Sequence, residues 1–579
     1  MTLSVTKKQR DVQTLALRRD TFVLRSRTWD RLKFEIEYAL QKGTTANSFL
    51  IQGDRTVLID PPGQSFTEIF LDALGNLVDF EAIDHIILGH VNPNRVKTLV
   101  QVLERSPNVE VICSNAAAKL LPQLFEKAEF TAPVNIRPVK RGDILDLGQN
   151  RILEFCPIPT PKWPGGMATY DRDSRWLFSD KFFGAHVCGD QVWDQQWKAY
   201  ESDRRYYYDS LMATQARQVD GNMDRLAEFD VKVYAPNHGP LVRYGVTPLT
   251  QIYRELNQKQ STQTLSAAVI YASAYGNTAT MAQAIARGIS KVGVTVEQIN
   301  CEFATTEEIK AVLEKTSGFI FGSPTLGGHA PTPVQTALGT ALSTASKEQL
   351  VGVFGSYGWS GEAVDIIANK LRDSGYPFGF DPLAVKFTPD AATLQKCEEL
   401  GTDFGQALKK GRKKKTKVAG KPASNVEQAV GRIIGSLCVV TAKRDDVSSA
   451  MLASWVSQAT FNPPGITVAV AKDRAIESLL YPGDTFVLNI LAEGRYLQLM
   501  KHFLKSFSPG EDRFVGVEHT ETDDGIPILS GGLAHLECKV EQRMECGDHW
   551  VVYSTIEAGD LQDSDGLAAL HYRQSGTHY

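Results

Sequence analysis

Hydrophobic and polar positions follow three different patterns along this chain. In the first, short apolar strands stop at polar turns. Ser48-Phe49-Leu50-Ile51 and Thr56-Val57-Leu58-Ile59-Asp60 read as two strands with Gly53-Asp54 as the hairpin turn between them. Ile83 to Leu88 is another apolar strand, running into Gly89-His90-Val91-Asn92-Pro93-Asn94-Arg95. Further strand ends fall at Phe178-Ser179-Asp180-Lys181 and at Val233-Tyr234-Ala235-Pro236-Asn237-His238. The second pattern starts with the buried strand Ala268-Val269-Ile270-Tyr271, a small-residue turn, and then apolar positions at Met281, Ile285, Ile289 and Val292, which is helical spacing. Phe319-Ile320-Phe321 and Val351-Gly352-Val353-Phe354 repeat the buried strand, each ending in a glycine-rich loop. The third pattern, from about residue 425, is many short strands with polar turns, which predicts a barrel. Its strands are Gly435 to Ala442, Val447 to Met451, Ile466 to Val470 and Thr485 to Leu491.

These patterns predict a multidomain chain, α/β in its first two domains and β in the last. Residues 1–30 read as a polar arm, 31–262 as the first domain, 266–409 as the second, 410–424 as a linker and 425–579 as the third. A length of 579 residues accommodates that number of domains. Composition changes little: 42% hydrophobic and 22% charged residues are ordinary for a globular protein, and a net charge of −5 gives no nucleic-acid footprint. The N-terminus carries no secretory signal, and no run is long and apolar enough to span a bilayer. Eight scattered cysteines without a CxxC pair fit a reducing compartment, the cytoplasm, and argue against a thiolate iron–sulfur cluster.

Candidate chemistry lies where the strands end. Ser273, Tyr275, Gly276, Asn277 and Thr278 form a hydroxyl-rich turn at a helix start, a cradle for one phosphate. No lysine follows the glycine, so the turn departs from the nucleotide P-loop and suits a monophosphate cofactor. The second loop contributes Ser323, Pro324, Thr325 and Gly328, and the third Ser356, Tyr357, Gly358, Trp359 and Gly361. Such loops gather at the carboxyl edge of an open parallel sheet, where these folds bind ligands. Tyr357 and Trp359 offer flat faces to an aromatic ring. The three loops in this order closely resemble flavodoxin, a doubly wound α/β fold, and the resemblance implies FMN.

The first domain resembles the metallo-β-lactamase fold, an αββα sandwich. Followed by flavodoxin, it resembles the core of the flavodiiron proteins, which reduce oxygen or nitric oxide at two irons. The family's ligand pattern is H-x-E-x-D-H, then a histidine, an aspartate and a final histidine. His90 and His238 match the first and last positions. Asn92, Asn94, Arg95, Lys162 and Lys181 stand at the other five, so the ligand set is degenerate. Iron needs carboxylate and imidazole donors, and protonated Lys and Arg offer no lone pair. The substitutions therefore oppose the two irons that the resemblance implies. The introduced cations require a counter-charge, either a bound anion such as chloride or phosphate, or Asp180 or Asp60 turning in. His85 and His186 match no ligand position and read as packing residues.

The basic stretch from Lys409 to Lys417 reads as a solvated tether or, alternatively, as a docking strip for an acidic donor such as a ferredoxin. The third domain resembles the NAD(P)H:flavin oxidoreductases, a split barrel holding FMN or FAD. The resemblance places Ser449, Ser457, Lys472 and Asn489 near that flavin, and it extends to the ending Tyr572 to Tyr579. All three domains in this order resemble the diflavin flavodiiron proteins of oxygenic phototrophs. The resemblance implies electrons passing from NAD(P)H through two flavins to oxygen, giving water. It also implies a homo- or hetero-oligomer with head-to-tail protomers, in which an intact paralogue supplies the irons. Two other functions fit the sequence: a NAD(P)H:flavin reductase that yields peroxide, and a regulatory subunit. No catalytic residue is assignable.

Overall fold

A computed structural model describes residues 10–29, 42–261, 265–415 and 425–573. The chain divides into two compact units, Met1–Gln263 and Thr264–Tyr579.

The first unit is a sandwich of two sheets. One has seven strands in sequential order: β1 (Asp11–Arg18), β2 (Thr21–Thr28), β3 (Thr44–Ile51), β4 (Val57–Ile59), β5 (His85–Ile87), β6 (Glu110–Ser114) and β7 (Asn135–Val139). The first four pair antiparallel and the rest parallel. The second has five strands, β8 (Ile144–Asp146), β9 (Ile152–Pro157), β10 (Met167–Asp171), β11 (Trp176–Asp180) and β12 (Val233–Pro236), of which β11 and β12 run parallel. Strand alternation sorts the side chains into layers. Phe49, Ile51 and Ile59 meet Phe155, Met167 and Phe178 between the sheets, whereas Leu50 and Leu58 turn outward under the helices that carry Phe70 and Leu99. A third cluster, with Tyr207, Tyr208 and Leu211, covers the outer face of the second sheet. The αββα architecture is the one expected.

The N-terminal arm needs correction. Residues 11–28 form β1 and β2, a hairpin in the larger sheet. Arginines within it gave the polar reading, yet Arg25 and Arg27 are buried. Arg27 pairs with Asp11 and Asp190, both at 2.7 Å, and Arg25 donates to the Gln13 side chain. Paired guanidinium groups can line a strand interior that charge counting assigns to solvent.

The second unit begins with an all-parallel sheet in the order β14 (Thr295–Asn300), β13 (Ser266–Tyr271), β15 (Gly318–Pro324), β16 (Leu350–Tyr357) and β17 (Leu383–Lys386). Both faces are covered, which explains the continuous apolar runs. The helix Ala391–Lys415 packs along the helix Asn277–Lys291. A Cβ on Gly288 would lie 1.9 Å from the Glu398 carbonyl oxygen, so only glycine permits this approach. Residues 410–415 of the expected linker continue that helix, and 416–424 lie outside the described residues. The unit ends in a seven-stranded antiparallel sheet around one core cluster, the split barrel. Its two longest strands, Gly532–Cys546 and His549–Leu561, form a hairpin that the apolar-run reading passed over. Among the described residues no helix is long and apolar enough to cross a membrane.

Candidate functional site

Strand ends from both sheets of the first unit converge on one buried cluster. Asp60 follows β4, Gly89 and His90 follow β5, Lys181 follows β11, and Asn237 and His238 follow β12. Asp60 and Asp180 both hold left-handed backbone, at φ 57° and 50°. Such conformations are costly for residues other than glycine and persist where their surroundings over-determine them. A Cβ on Gly89 would lie 2.8 Å from the Asp60 carboxylate and 2.9 Å from the Asp180 Cβ, so the two aspartates close around a backbone that must be bare.

Hydrogen bonds fix the histidine tautomers. His238 Nδ1 lies 2.6 Å from the Thr45 carbonyl, which only accepts, so Nδ1 carries the proton. Its Nε2 lone pair then accepts from Lys181 Nζ at 2.9 Å. The Asn92 side-chain oxygen caps the helix Pro93–Arg105 by accepting from the Arg95 N–H, which turns its NH2 toward His90 Nε2, 3.3 Å away. His90 Nδ1 therefore donates to Asp180, at 2.7 Å. Asn237 Nδ2 donates to the same oxygen at 2.5 Å, Gly89 N–H donates to Asp60 at 2.7 Å, and Arg95 lies 3.6 Å from Asp60.

Charge follows from these contacts. Burial pushes the Asp60 carboxyl above its ordinary pKa, and the neighbouring Asp180 adds to that despite Arg95. Burial acts on Asp180 in the same sense, but His90, Lys181 and Arg95 outweigh it and hold this carboxylate below the usual range. Lys162 and Lys181 lie 5.4 and 5.7 Å from the centre of the Trp163 ring, a cation–π arrangement. Of the two sources of counter-charge considered for the cations, the structure places both Asp60 and Asp180 in the cluster.

These residues do not fit a di-iron centre. Both nitrogens of both histidines are engaged, and the Lys181 ammonium takes the lone pair that a metal on His238 would use. Asp60, His90 and Asp180 bring three ligand-type atoms within 4.8 Å of one another, yet Arg95 and Lys181 already flank those carboxylates with positive charge. Asn94 serves elsewhere, accepting from the Gln64 N–H at 3.2 Å. His186 is hydrogen-bonded to Thr44 at 2.9 Å, and His85 is buried with Nδ1 3.2 Å from the Glu110 carboxylate.

In the second unit the three expected loops meet at the carboxyl edge of β13, β15 and β16. Gly276, at φ 87°, turns the chain into the helix Asn277–Lys291. Ser273 Oγ accepts from the Ala279 N–H at 3.0 Å, and the Thr278 hydroxyl bonds that of Ser356 at 2.8 Å, tying the first loop to the third. Gly327 and Gly328 also have positive φ and open space above them. Trp359 is 94% exposed and Tyr275 66%, a bare aromatic rim beside a helix N-terminus. Phe387, which sequence reasoning missed, stands edge-on to Trp359 at 6.2 Å. It follows β17, whose apolar run Leu383-Ala384-Val385 is too short to have marked it. A helix N-terminus, hydroxyls, bare glycine backbone and flat rings fit a flavin phosphate and ring.

The four barrel positions do not share one cluster of contacts. Ser449 is buried and accepts from Arg513. Ser457 is exposed on an edge strand. Lys472 pairs with Glu545 at 2.6 Å. Asn489 is a core residue, both its amide hydrogens going to Val439 O and Thr441 Oγ1 and its oxygen to the Leu529 N–H.

Comparison with known proteins agrees with this domain order. Residues 44–239 match the ODP family beta lactamase, 269–401 match flavodoxin, and 430–579 match the flavin reductase like domain. A relative from Nostoc sp. (strain PCC 7120), named "Putative diflavin flavoprotein A 6", is 59% identical over 572 residues and covers 99% of each chain. The chain belongs to the diflavin flavoproteins. Diflavin flavoprotein A 1 of Synechocystis sp. (strain PCC 6803) is 42% identical over 574 residues, again 99% of each chain. A structure described as the metal-soaked Flv1 flavodiiron core from Synechocystis sp. PCC6803 superposes with a TM-score of 0.68 at 56% identity, covering 70% of this chain and all of that one. This diflavin flavoprotein is thus an oxidoreductase of the flavodiiron family that carries electrons on flavin.

Proposed function

We propose that this chain passes electrons from NAD(P)H through its barrel and flavodoxin domains to oxygen, which is reduced to water at irons held by an intact paralogue. The observation that carries the reading is Lys181 Nζ seated 2.9 Å from His238 Nε2, which spends the chain's own metal donor on an ammonium. The flavodoxin loops still fit FMN, so this chain supplies electrons and the partner supplies metal. FMN contributes the capacity to take electrons in pairs and release them singly. The helix N-terminus at Asn277, with Ser273, holds the phosphate, and Trp359 covers the ring. In the barrel, Ser449, Ser457 and Lys472 face FMN or FAD.

Metal and flavin analysis of the purified chain beside NAD(P)H-dependent oxygen uptake tests this reading. The expected result is flavin without iron, and slow uptake that rises when a paralogue is added. Two bound irons with water as product would defeat it. Peroxide as the product, unchanged by a paralogue, would favour a NAD(P)H:flavin reductase instead. Trp359→Ala is expected to weaken FMN binding about tenfold with folding stability unchanged, because an exposed ring contributes stacking and little packing. Fluorescence titration of the apoprotein with FMN measures it. A reduced carrier such as a ferredoxin is a second electron source, docking on the basic run from Lys409. Neutralising those lysines would then remove the salt dependence of donor oxidation.

A further inference from the structure

The flavodoxin and barrel domains meet across a buried chain of alternating charges. Within the flavodoxin domain, Arg287 reaches Glu398 at 3.0 Å, and Lys291 reaches the other oxygen of that carboxylate at 2.5 Å. Within the barrel, Arg543 pairs with Glu477 and lies over the Trp550 and Tyr481 rings, 4.3 Å from each centre. Lys291 Nζ joins the two, 2.7 Å from Glu477. Glu398 and Glu477 are buried, and the Lys291 side chain is 12% exposed. A buried charge must be paired, so two domains that share one are held to a single relative position.

Neighbouring contacts fix the same register. On the helix Ala391–Lys415, Gln395 donates to the Ala475 carbonyl and accepts from the Ser478 hydroxyl. Glu399 accepts from the Gly510 N–H at 2.8 Å and lies 3.4 Å from Arg513. Gln406 donates to Asp473 at 3.0 Å. These positions recur at helical spacing along one face. Arg513 in turn donates to Ser449, one of the residues assigned to the barrel flavin.

The helix Asn277–Lys291 connects this junction to the other flavin. Its first residue follows the phosphate turn and its last is the bridging lysine, so one rod about 21 Å long spans both. We infer that Lys291 is a positioning residue for electron transfer, clamping the barrel to the flavodoxin domain through Glu477 so that the two flavins of one chain keep a fixed geometry. This rests on the proposed passage of electrons between the two domains.

Lys291→Met cuts the bridge while each domain keeps its own pair, Arg287–Glu398 or Arg543–Glu477, so both domains are expected to fold. Two measurements on the full chain test it. Hydrogen exchange at residues 286–292 and 475–481 should rise in Lys291→Met and return in Lys291→Arg. In stopped-flow reduction by NAD(P)H, the barrel flavin should bleach as in wild type, while FMN bleaches at least tenfold more slowly, again restored in Lys291→Arg. Unchanged exchange in Lys291→Met would show that the bridge is no clamp. Raised exchange with wild-type FMN bleaching would show that the clamp does not position the flavins. If NAD(P)H bleaches neither flavin in wild type, the electron route proposed above fails, and the exchange result still decides the clamp.

Discussion

Lys181→Met is expected to destabilise the first unit by about 3–5 kcal/mol, the usual cost of removing one partner from a buried ionic contact. The side chain is 1% exposed and its ammonium serves two groups, the His238 lone pair and the Asp180 charge. Methionine fills much of the volume, so the loss is electrostatic. Asp60 and Asp180 then stay buried together, with Arg95 3.6 Å from Asp60. Lys162→Met is the control. Lys162 is half-buried and lies 5.4 Å from the centre of the same Trp163 ring, so its loss should cost no more than about 1 kcal/mol. Urea unfolding, resolved by hydrogen exchange at residues 177–183 and 233–239, compares the two variants. Equal losses would mean that the network does not depend on Lys181.

Acid should unfold the second unit by way of Glu477. Burial disfavours its carboxylate, but Lys291 and Arg543 more than compensate and bring its pKa to about 2. An unfolded glutamate titrates near 4.3. A carboxyl whose folded pKa is depressed adds stability at pH values above its unfolded pKa. That stability fades as pH falls toward the folded value. The window is therefore roughly pH 4.3 down to 2, and the contribution is about 3 kcal/mol. Glu398 faces the same junction and keeps Arg287 as a partner. Glu477→Gln should flatten the stability profile across this window and lower stability at pH 7. A profile as steep as wild type would assign the acid sensitivity to another carboxyl.

Sequence reasoning reached the flavodoxin domain most fully, because there local pattern and function coincide. A buried parallel strand must be apolar throughout, and the bare loop after it must be small. Ala268 to Gly276 displays both features within nine residues. The hairpin Gly532–Leu561 lacks the first, since its opening strand interrupts the apolar positions with charges such as Glu537, Lys539 and Glu541. The ionic cluster was legible as a set of residue types but not as a network. His238 and Lys181 are 57 residues apart and His238 and Thr45 are 193 apart, and neither distance leaves a periodic trace. Asn92 shows the limit well. At a ligand position it reads as a lost carboxylate, whereas in the structure it is a helix cap whose orientation sets the His90 tautomer.

The seat of Lys181 also bears on how the chain could change. Lys181→Asp, one of five steps toward the family pattern, would put a third carboxylate beside Asp60 and Asp180, with three of the seven ligand positions in place to recruit a metal. Reversion at Lys181 alone thus passes through a form less stable than its parent. The ammonium and a metal ion compete for one lone pair on His238, so admitting the ion means removing the lysine and rebuilding the charges around it in the same change.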